Sequence, residues 1–168
     1  DRVPLFEAWV HTRIVERILE RPFKGVDDLI DFYRRLEIDF IPISFNDRMV
    51  APNFLNERVF VDEWGRKWQY LEGAGWGGFG FYIDGTLNTP EKFDEFEFPD
   101  PLAPGRTDTF EVALKAAGDE YAVTGEILQG IFERAQTMVG LKEFLFYIYK
   151  KPSFIRNVLR KVLEFCME

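Results

Sequence analysis

The sequence predicts an α/β protein whose core strands run parallel. Three short apolar segments, residues 3–8, 38–45 and 121–124, have the length and composition of buried strands. Stretches with apolar residues at helical spacing lie between them. Because a strand, a helix and a second strand in succession form a right-handed parallel crossover, this order predicts a parallel sheet covered by helices.

The N-terminal part contains the first predicted strand and two predicted helices. The strand, residues 3–8, is apolar, and Pro4 near its start suits entry from a sheet edge. One helical stripe ends before Pro22, and a second follows Asp27 and Asp28. The stripes consist of Ile14, Val15, Ile18 and Leu19, and of Leu29, Phe32, Tyr33 and Leu36.

A long insertion, residues 46–104, follows the second strand. Its sequence is rich in aromatic residues, glycine and proline. Alternating residues in 58–64 and 66–70, on either side of Gly65, predict a β-hairpin, and residues 79–84 predict a further extended segment. Regular α/β order is expected to resume after the insertion.

The C-terminal part is predicted to be mainly helical. Asp108 and Glu111 form a capping-box pattern that opens a helix ending at Gly118, before the third core strand. Residues 141–149 are apolar on nearly every side, which predicts a buried helix. In residues 152–166 the apolar residues lie on one side of a helix and the charged residues on the other, which predicts an amphipathic helix.

Composition excludes several classes of function. The net charge is −8, and Lys and Arg are spread along the chain, which disfavours nucleic acid and anionic membranes as partners. A single cysteine, Cys166, rules out an internal disulfide. No apolar run is long enough for a membrane span and no secretion signal is evident, so we expect a cytoplasmic protein.

The spacing of glycine, proline and flanking residues in the C-terminal part resembles the sequence that follows the third barrel strand in the uroporphyrinogen decarboxylase superfamily. The pattern consists of Gly125 and Gly130 with four residues between them, Met138-Val-Gly140 and Tyr149-Lys-Lys-Pro152. The resemblance implies a (β/α)8 TIM barrel, which typically needs about 250 residues. Residues 1–168 would then form a partial TIM-barrel domain, the N-terminal half, with three barrel strands and the insertion at about 46–104.

The resemblance also implies a substrate site at the strand ends. In decarboxylases of this superfamily two arginines after the first strand hold substrate carboxylates; Arg13 matches the second, and Trp9 stands in place of the first. Asn46 matches the aspartate that ends the second strand, with Asp47 one residue later. Gln136 matches a tyrosine of the third block.

Two further residues are candidates by position. His11 follows the first predicted strand and Glu126 the third, at the face where barrel enzymes bind ligands. Each also has a structural alternative: His11 could cap a helix, and Glu126 could be an acidic residue in a helix's first turn. The predicted substrate-binding set is Trp9, His11, Arg13, Asn46, Asp47, Glu126 and Gln136.

Asp62-Glu-Trp-Gly65, followed by Trp68, is similar to the corrinoid-linked methyltransferase and O-demethylase branch of the superfamily. That similarity implies methyl transfer between a small methylated substrate and a corrinoid protein or thiol. The branch's zinc-binding His-x-Cys and later Cys would lie beyond Glu168, so no metal is expected in this chain. Expected partners are a corrinoid protein, the C-terminal half of the barrel and a second copy of the chain.

Two other functions stay open at this point. One is a tetrapyrrole decarboxylase of the lyase type with a diverged pocket. The other is a non-catalytic binding or assembly module on the same scaffold. Three remaining patterns have ordinary explanations: residues 73–78 match a dinucleotide fingerprint without its helix, Trp64, Trp68, Tyr70 and Trp76 suit core packing, and residues 91–100 suit a connector pinned by its phenylalanines.

Overall fold

The chain combines helices with a small parallel sheet and an antiparallel sheet, which agrees with the predicted α/β class. The computed structural model describes residues 2–7, 10–44, 53–56, 58–70, 80–127 and 129–168. Numbered along the chain, the elements are α1 Thr12–Leu19, α2 Val26–Arg35, β1 Phe40–Ser44, β2 Asn53–Phe54, β3 Val59–Val61, β4 Lys67–Gln69, β5 Phe81–Asp84, a 3-10 turn Pro90–Phe93, α3 Asp108–Ala117, β6 Ala122–Glu126, α4 Ile131–Val139, α5 Leu141–Lys150 and α6 Pro152–Met167.

The described residues belong to two compact units. The first contains residues 2–7, 10–44 and 105–126, and the second contains 53–70, 80–104 and 127–168 apart from positions 57 and 128. The predicted insertion folds together with the C-terminal helices, because they share one apolar core.

The first unit is built on a parallel pair of strands, as the sequence predicted for its second and third core strands. β1 and β6 pair in parallel, with Phe40 opposite Ala122 and Ser44 opposite Glu126. Ile41 and Ile43 are buried, and they pack in one cluster with side chains of α2 and α3. Helices therefore cover one face of this sheet.

The two N-terminal helices begin and end close to the predicted positions. In α2, Asp27 and Asp28 occupy the first turn, where carboxylates complement the helix dipole. Arg21 bridges the two segments by an ion pair of 2.8 Å with Asp28. The helix after the insertion opens one residue earlier than its capping box implied: Thr107 is the N-cap, and its hydroxyl donates to Glu111 at 3.0 Å.

The first predicted strand does not form over the described residues 3–7, which carry no regular secondary structure. The segment still lies against the start of β1, since the Asp39 N–H donates to the Leu5 carbonyl at 3.1 Å. The Leu5 N–H donates to the Asp39 carboxylate at 2.7 Å instead of to a backbone carbonyl, and Pro4 has no N–H to donate. A hydrogen bond to a side chain therefore takes the place of one of the backbone hydrogen bonds expected between paired strands.

The second unit contains a four-stranded antiparallel sheet in the order β2-β3-β4-β5. The predicted hairpin is confirmed: Val59 pairs with Gln69 and Val61 with Lys67. Its turn needs the glycine, because Gly65 has φ of 69°, a backbone conformation that other residues rarely adopt. The extended segment predicted at 79–84 is β5 where it is described.

The apolar core of the second unit joins this sheet to the C-terminal helices. Its members include Trp64, Leu87, Met138, Val139, Phe144, Phe154, Val158 and Val162. A close backbone approach helps to form it: a Cβ atom placed on Gly85 would lie 2.2 Å from the Met138 carbonyl oxygen. The Leu87 N–H donates to the same oxygen at 2.8 Å.

Burial of α5 does not follow the prediction. Phe144 is its buried member, whereas Leu145 is 56% exposed and Tyr149 is 82% exposed. By contrast, α6 buries Phe154, Ile155, Val158 and Val162, as its amphipathic pattern predicted. Hydrophobicity on all sides of α5 indicated faces that burial would stabilise, but the described residues cover only one of them.

Candidate functional site

The strongest candidate site lies at the carboxyl ends of the two parallel strands in the first unit. Ser44 and Glu126 end β1 and β6 and are partners in the strand register. Side chains alternate along a strand, so both belong to the face opposite Ile41, Ile43 and the helices. Ligands of α/β proteins characteristically bind at this edge of the sheet.

Glu126 has altered acid–base properties. The side chain is partly buried, and this burial raises the pKa of its carboxyl group above the ordinary value for glutamate. Because the charged form is penalised, Glu126 retains its proton to higher pH than an exposed glutamate does. It can then donate a hydrogen bond, which an ionised carboxylate cannot do.

Tyr33 on α2 belongs to the cluster on the helix-covered face, and its buried phenol lies near enough to Glu126 for that charge to affect it. Burial raises its pKa strongly, and the negative charges of Glu7 and Glu126 add to the effect. Its hydroxyl donates to the Glu7 carbonyl oxygen at 3.1 Å. Tyr33 therefore stays protonated and is held in place by the segment that precedes α1.

Thr124 adds a hydroxyl group two residues before Glu126 on the same face of β6. Its Oγ1 is buried and has no hydrogen-bond partner in the part of the chain that the structure describes. An unsatisfied buried hydroxyl costs about 1–3 kcal/mol. A polar group of a ligand at this face would remove that cost.

The predicted site residues do not all come together here. Glu126 lies at the predicted strand end, although it closes β6 and does not begin a helix. His11 caps a helix, which was the structural alternative to a ligand-binding role. It is the N-cap of α1, and its Nδ1 accepts a hydrogen bond from the Arg13 N–H at 3.1 Å. Arg13 itself is exposed on α1.

The other predicted residues either belong to the second unit or lie outside the described residues. Gln136 lies on α4, in the second unit. Trp9, Asn46 and Asp47 lie outside the described residues. Sequence reasoning also missed Tyr33 and Ser44, because it assigned them to a helix stripe and to the interior of a strand; counting alternate residues along both strands is the signal that would have identified Ser44.

A second polar cluster, in the second unit, has a structural role. The fully buried Arg66 donates through Nε to Asp62 at 2.8 Å and, through Nη1, to the Thr137 hydroxyl at 3.1 Å and to Gln129. Trp68 Nε1 also donates to Asp62, at 2.8 Å. These contacts join the hairpin to the start of α4 and to its interior.

The tryptophans of this cluster pack in the core, as the sequence favoured. Trp64 is fully buried with its ring edge-on to Phe165 at 4.7 Å, and the guanidinium of Arg134 lies 4.7 Å from the Trp64 ring centre. Trp68 is buried against Tyr82. Trp76 and residues 73–78 lie outside the described residues.

Neither a metal site nor a membrane-spanning helix is found within the described ranges. There, no three His, Cys, Asp or Glu side chains lie close enough together to hold a metal ion. Within those same ranges, no helix combines the length and apolar character that a membrane crossing requires. Comparison with protein-family models, with curated proteins and with solved structures finds no match.

Proposed function

We propose that this chain is the N-terminal, substrate-binding half of a (β/α)8 barrel enzyme that transfers a methyl group. The substrate would be a small methylated molecule, and the acceptor a corrinoid protein or thiol. The observation that carries this proposal is the pairing of Ser44 with the partly buried Glu126 at the carboxyl ends of two parallel strands. Barrel enzymes place their catalytic groups at that edge.

The arrangement of the first unit supports a barrel. Helices pack on the Ile41 and Ile43 face of the sheet, where the outer helices of a barrel would lie. The opposite face carries Pro42, Thr124 and Glu126, which in a barrel would point into the interior. Polar groups near the end of an otherwise apolar interior face are typical of substrate positions in such enzymes.

Glu126 would act as the acid in demethylation of a methoxyarene. When the bond between the methyl carbon and the oxygen breaks, the methyl group bonds to the electron pair of the acceptor. The phenolic oxygen keeps the electron pair of the broken bond. That oxygen becomes basic and needs a proton. A carboxyl group with a raised pKa can supply it, and the Ser44 hydroxyl would orient the substrate oxygen.

A corrinoid carried by a partner protein would supply the methyl-accepting centre. We assign no described residue of this chain as a zinc ligand, because these residues contain no group of side chains that could hold a metal ion. The part played by this half is consequently binding, orientation and proton donation.

Binding of guaiacol, with catechol as the demethylated control, tests the role of the strand-end pair. We expect guaiacol to shift the carbon-13 NMR signal of the Glu126 carboxyl and to bind more tightly at about pH 5 than at about pH 8, because the protonated acid is the donor. Glu126→Gln keeps a donor but removes this pH dependence. Ser44→Ala should weaken binding about tenfold, as loss of one good hydrogen bond does.

Asp119→Asn, an exposed change after α3, is the matched control and should alter neither affinity nor pH dependence. Equal binding of guaiacol by wild type and Ser44→Ala, with no shift at Glu126, would rule out the strand-end site. In any longer protein that contains this chain, consumption of cob(I)alamin in the presence of guaiacol tests methyl transfer. Conversion of uroporphyrinogen III to coproporphyrinogen would instead assign the lyase alternative.

A further inference from the structure

The face of the parallel sheet that lies opposite the helices carries three pairs of neighbouring side chains. Along each strand they alternate with the residues that contact the helices. From the start of the strands to their carboxyl ends, the pairs are Phe40 with Ala122, Pro42 with Thr124 and Ser44 with Glu126. The pairs thus change from apolar to polar toward the edge at which the candidate site lies.

Thr124 is the polar member of the middle pair, and its hydroxyl group is buried without a partner. No hydrogen-bonding group of the described residues reaches its Oγ1 atom. Its neighbour across the sheet, Pro42, is buried and offers only an apolar ring. Native structures rarely bury a polar atom in this way, because its desolvation is then not compensated. The hydroxyl can therefore both donate to and accept from a group that the described residues do not provide.

The position of Thr124 relative to Glu126 limits what such a group can be. Two residues along a strand span about 6.6 Å. A single oxygen atom cannot bond well to both side chains, because two hydrogen bonds of about 2.8 Å in line fall short of that separation. Two oxygens at opposite ends of an aromatic ring suit it better. Access from solvent exists on either side, since Ala122 is exposed and Ser44 is partly exposed.

The charges around this face favour a neutral ligand. Neither β1 nor β6 contains a lysine or an arginine. Burial already raises the pKa of the Glu126 carboxyl group, so the same surroundings would penalise a second negative charge at Thr124. A carboxylate on the ligand would also be repelled by Glu126 when that group is ionised. A neutral phenol, by contrast, can exchange a hydrogen bond with the threonine hydroxyl in either direction.

We propose that Thr124 determines the specificity of the strand-end site by binding a second oxygen of the substrate, on the side of the ring opposite the methoxy group. This inference rests on the proposed function and narrows its substrate class to neutral arenes with oxygens at positions 1 and 4, of which 4-methoxyphenol is a simple case. The methoxy oxygen lies at Ser44 and Glu126. The ring packs against Pro42, and the phenolic hydroxyl meets Thr124.

Binding of three matched ligands at about pH 6 tests the class of substrate, with the benzoate ionised at that pH. The ligands are 4-methoxyphenol, 4-methylanisole, in which a methyl group replaces the phenolic hydroxyl, and 4-methoxybenzoate. We expect 4-methoxyphenol to bind about tenfold more tightly than 4-methylanisole, as one good hydrogen bond predicts. The benzoate should bind most weakly, because its charge is desolvated without a cation beside it.

Substitution of Thr124 tests the residue itself. Thr124→Val keeps the shape and β-branching of the side chain but removes the hydroxyl. It should weaken binding of 4-methoxyphenol about tenfold and leave that of 4-methylanisole and guaiacol unchanged, because the adjacent oxygens of guaiacol meet only the strand-end pair. Thr124→Ser restores a hydroxyl and should keep the preference for 4-methoxyphenol.

Urea unfolding of the chain without ligand gives an independent measurement. Thr124→Val should raise the urea midpoint, since it removes a buried hydroxyl that has no partner. Thr137→Val, in the second unit, is the matched control. Its hydroxyl donates to the Glu133 carbonyl at 2.8 Å and accepts from Arg66 at 3.1 Å, so the same substitution should lower the midpoint there. It should not alter the relative affinities for the three ligands.

The outcomes separate this inference from the proposed function. If guaiacol shifts the Glu126 carboxyl signal but Thr124→Val binds 4-methoxyphenol as wild type does, the strand-end site stands and the role of Thr124 is overturned. Tighter binding of the benzoate than of 4-methoxyphenol, or a lowered urea midpoint for Thr124→Val, also overturns it. If neither guaiacol nor 4-methoxyphenol binds, the proposed function fails and this inference fails with it.

Discussion

The carboxyl group of Glu126 contributes to the pH dependence of the folding stability of the first unit. Its pKa is raised by burial in the folded chain, so the unfolded chain ionises at lower pH. The contribution of Glu126 to folding stability is fully present below the pKa that the group has in the unfolded chain. It is lost as pH rises through the pKa that the group has in the folded chain.

Replacing Glu126 by glutamine should remove this loss. We expect Glu126→Gln to be more stable than wild type at about pH 8 and similar to it at about pH 4, where the glutamate is mostly protonated. Urea unfolding at both values measures the difference. Asp119→Asn serves as the control, and an equal gain at both pH values would contradict burial as the cause.

The buried pair of Asp62 and Arg66 holds the second unit together at the level of individual residues. Removing one partner leaves the other charge buried without compensation, which typically costs about 3–5 kcal/mol. We therefore expect Asp62→Asn to lower the free energy of unfolding by about that amount in a urea titration. Gln69→Ser, on an exposed position of β4, should change it by less than about 0.5 kcal/mol.

At the scale of elements, the approach of β5 to α4 depends on a missing side chain. A Cβ atom on Gly85 would lie 2.2 Å from the Met138 carbonyl oxygen and 2.6 Å from that of Thr137, and backbone atoms cannot yield as a flexible side chain can. Gly85→Ala should therefore destabilise the chain by about 3 kcal/mol, the cost of overpacking.

Gly130→Ala provides the matched comparison, because no atom lies within 4 Å of a Cβ atom placed there. It should cost less than about 1 kcal/mol, the effect of changing an N-cap glycine to alanine. Thermal unfolding of both variants measures the difference. Similar losses for the two substitutions would show that the β5–α4 approach is not tight.

Sequence periodicity located most elements because local patterns determine them. The stripes of α1, α2 and α6 and the alternation around Gly65 indicated helices and a hairpin where the structure has them. Two predictions depended on partners distant in sequence, and these were wrong. Residues 3–7 form no strand because the Leu5 N–H donates to the Asp39 carboxylate and not to a backbone carbonyl. The α5 helix is largely exposed because the described residues cover only its Phe144 side.

The candidate site was predicted only in part for the same reason. Position at a strand end was enough to select Glu126. Its neighbours depend on which residues pair across the sheet and on how α2 packs, and neither follows from spacing alone. Tyr33 accordingly became visible only in three dimensions, Ser44 could have been identified by counting alternate residues along both strands, and His11 proved to be a helix cap.

For the whole molecule, charge governs solubility. The formal net charge is −8 and the isoelectric point is about 4.8, so mutual repulsion between molecules vanishes near that pH. We expect the lowest solubility at about pH 4.8, measured as protein remaining in the supernatant. Lys142→Glu with Lys150→Glu brings the formal charge from −8 to −12 and should move the minimum to lower pH. An unmoved minimum would mean that contacts other than net charge set solubility.

The span of the Asp62 contacts along the chain bears on the order in which the second unit folds. Asp62 accepts hydrogen bonds from the backbone N–H groups of Trp64 and Arg66 and from the Arg66 and Trp68 side chains, all within six residues. Closing so short a loop costs little entropy, whereas the bond from Arg66 to Thr137 closes one of 71 residues. The hairpin is thus suited to form before the helices arrive: disturbing Asp62 would slow folding, and disturbing Thr137 would chiefly hasten unfolding.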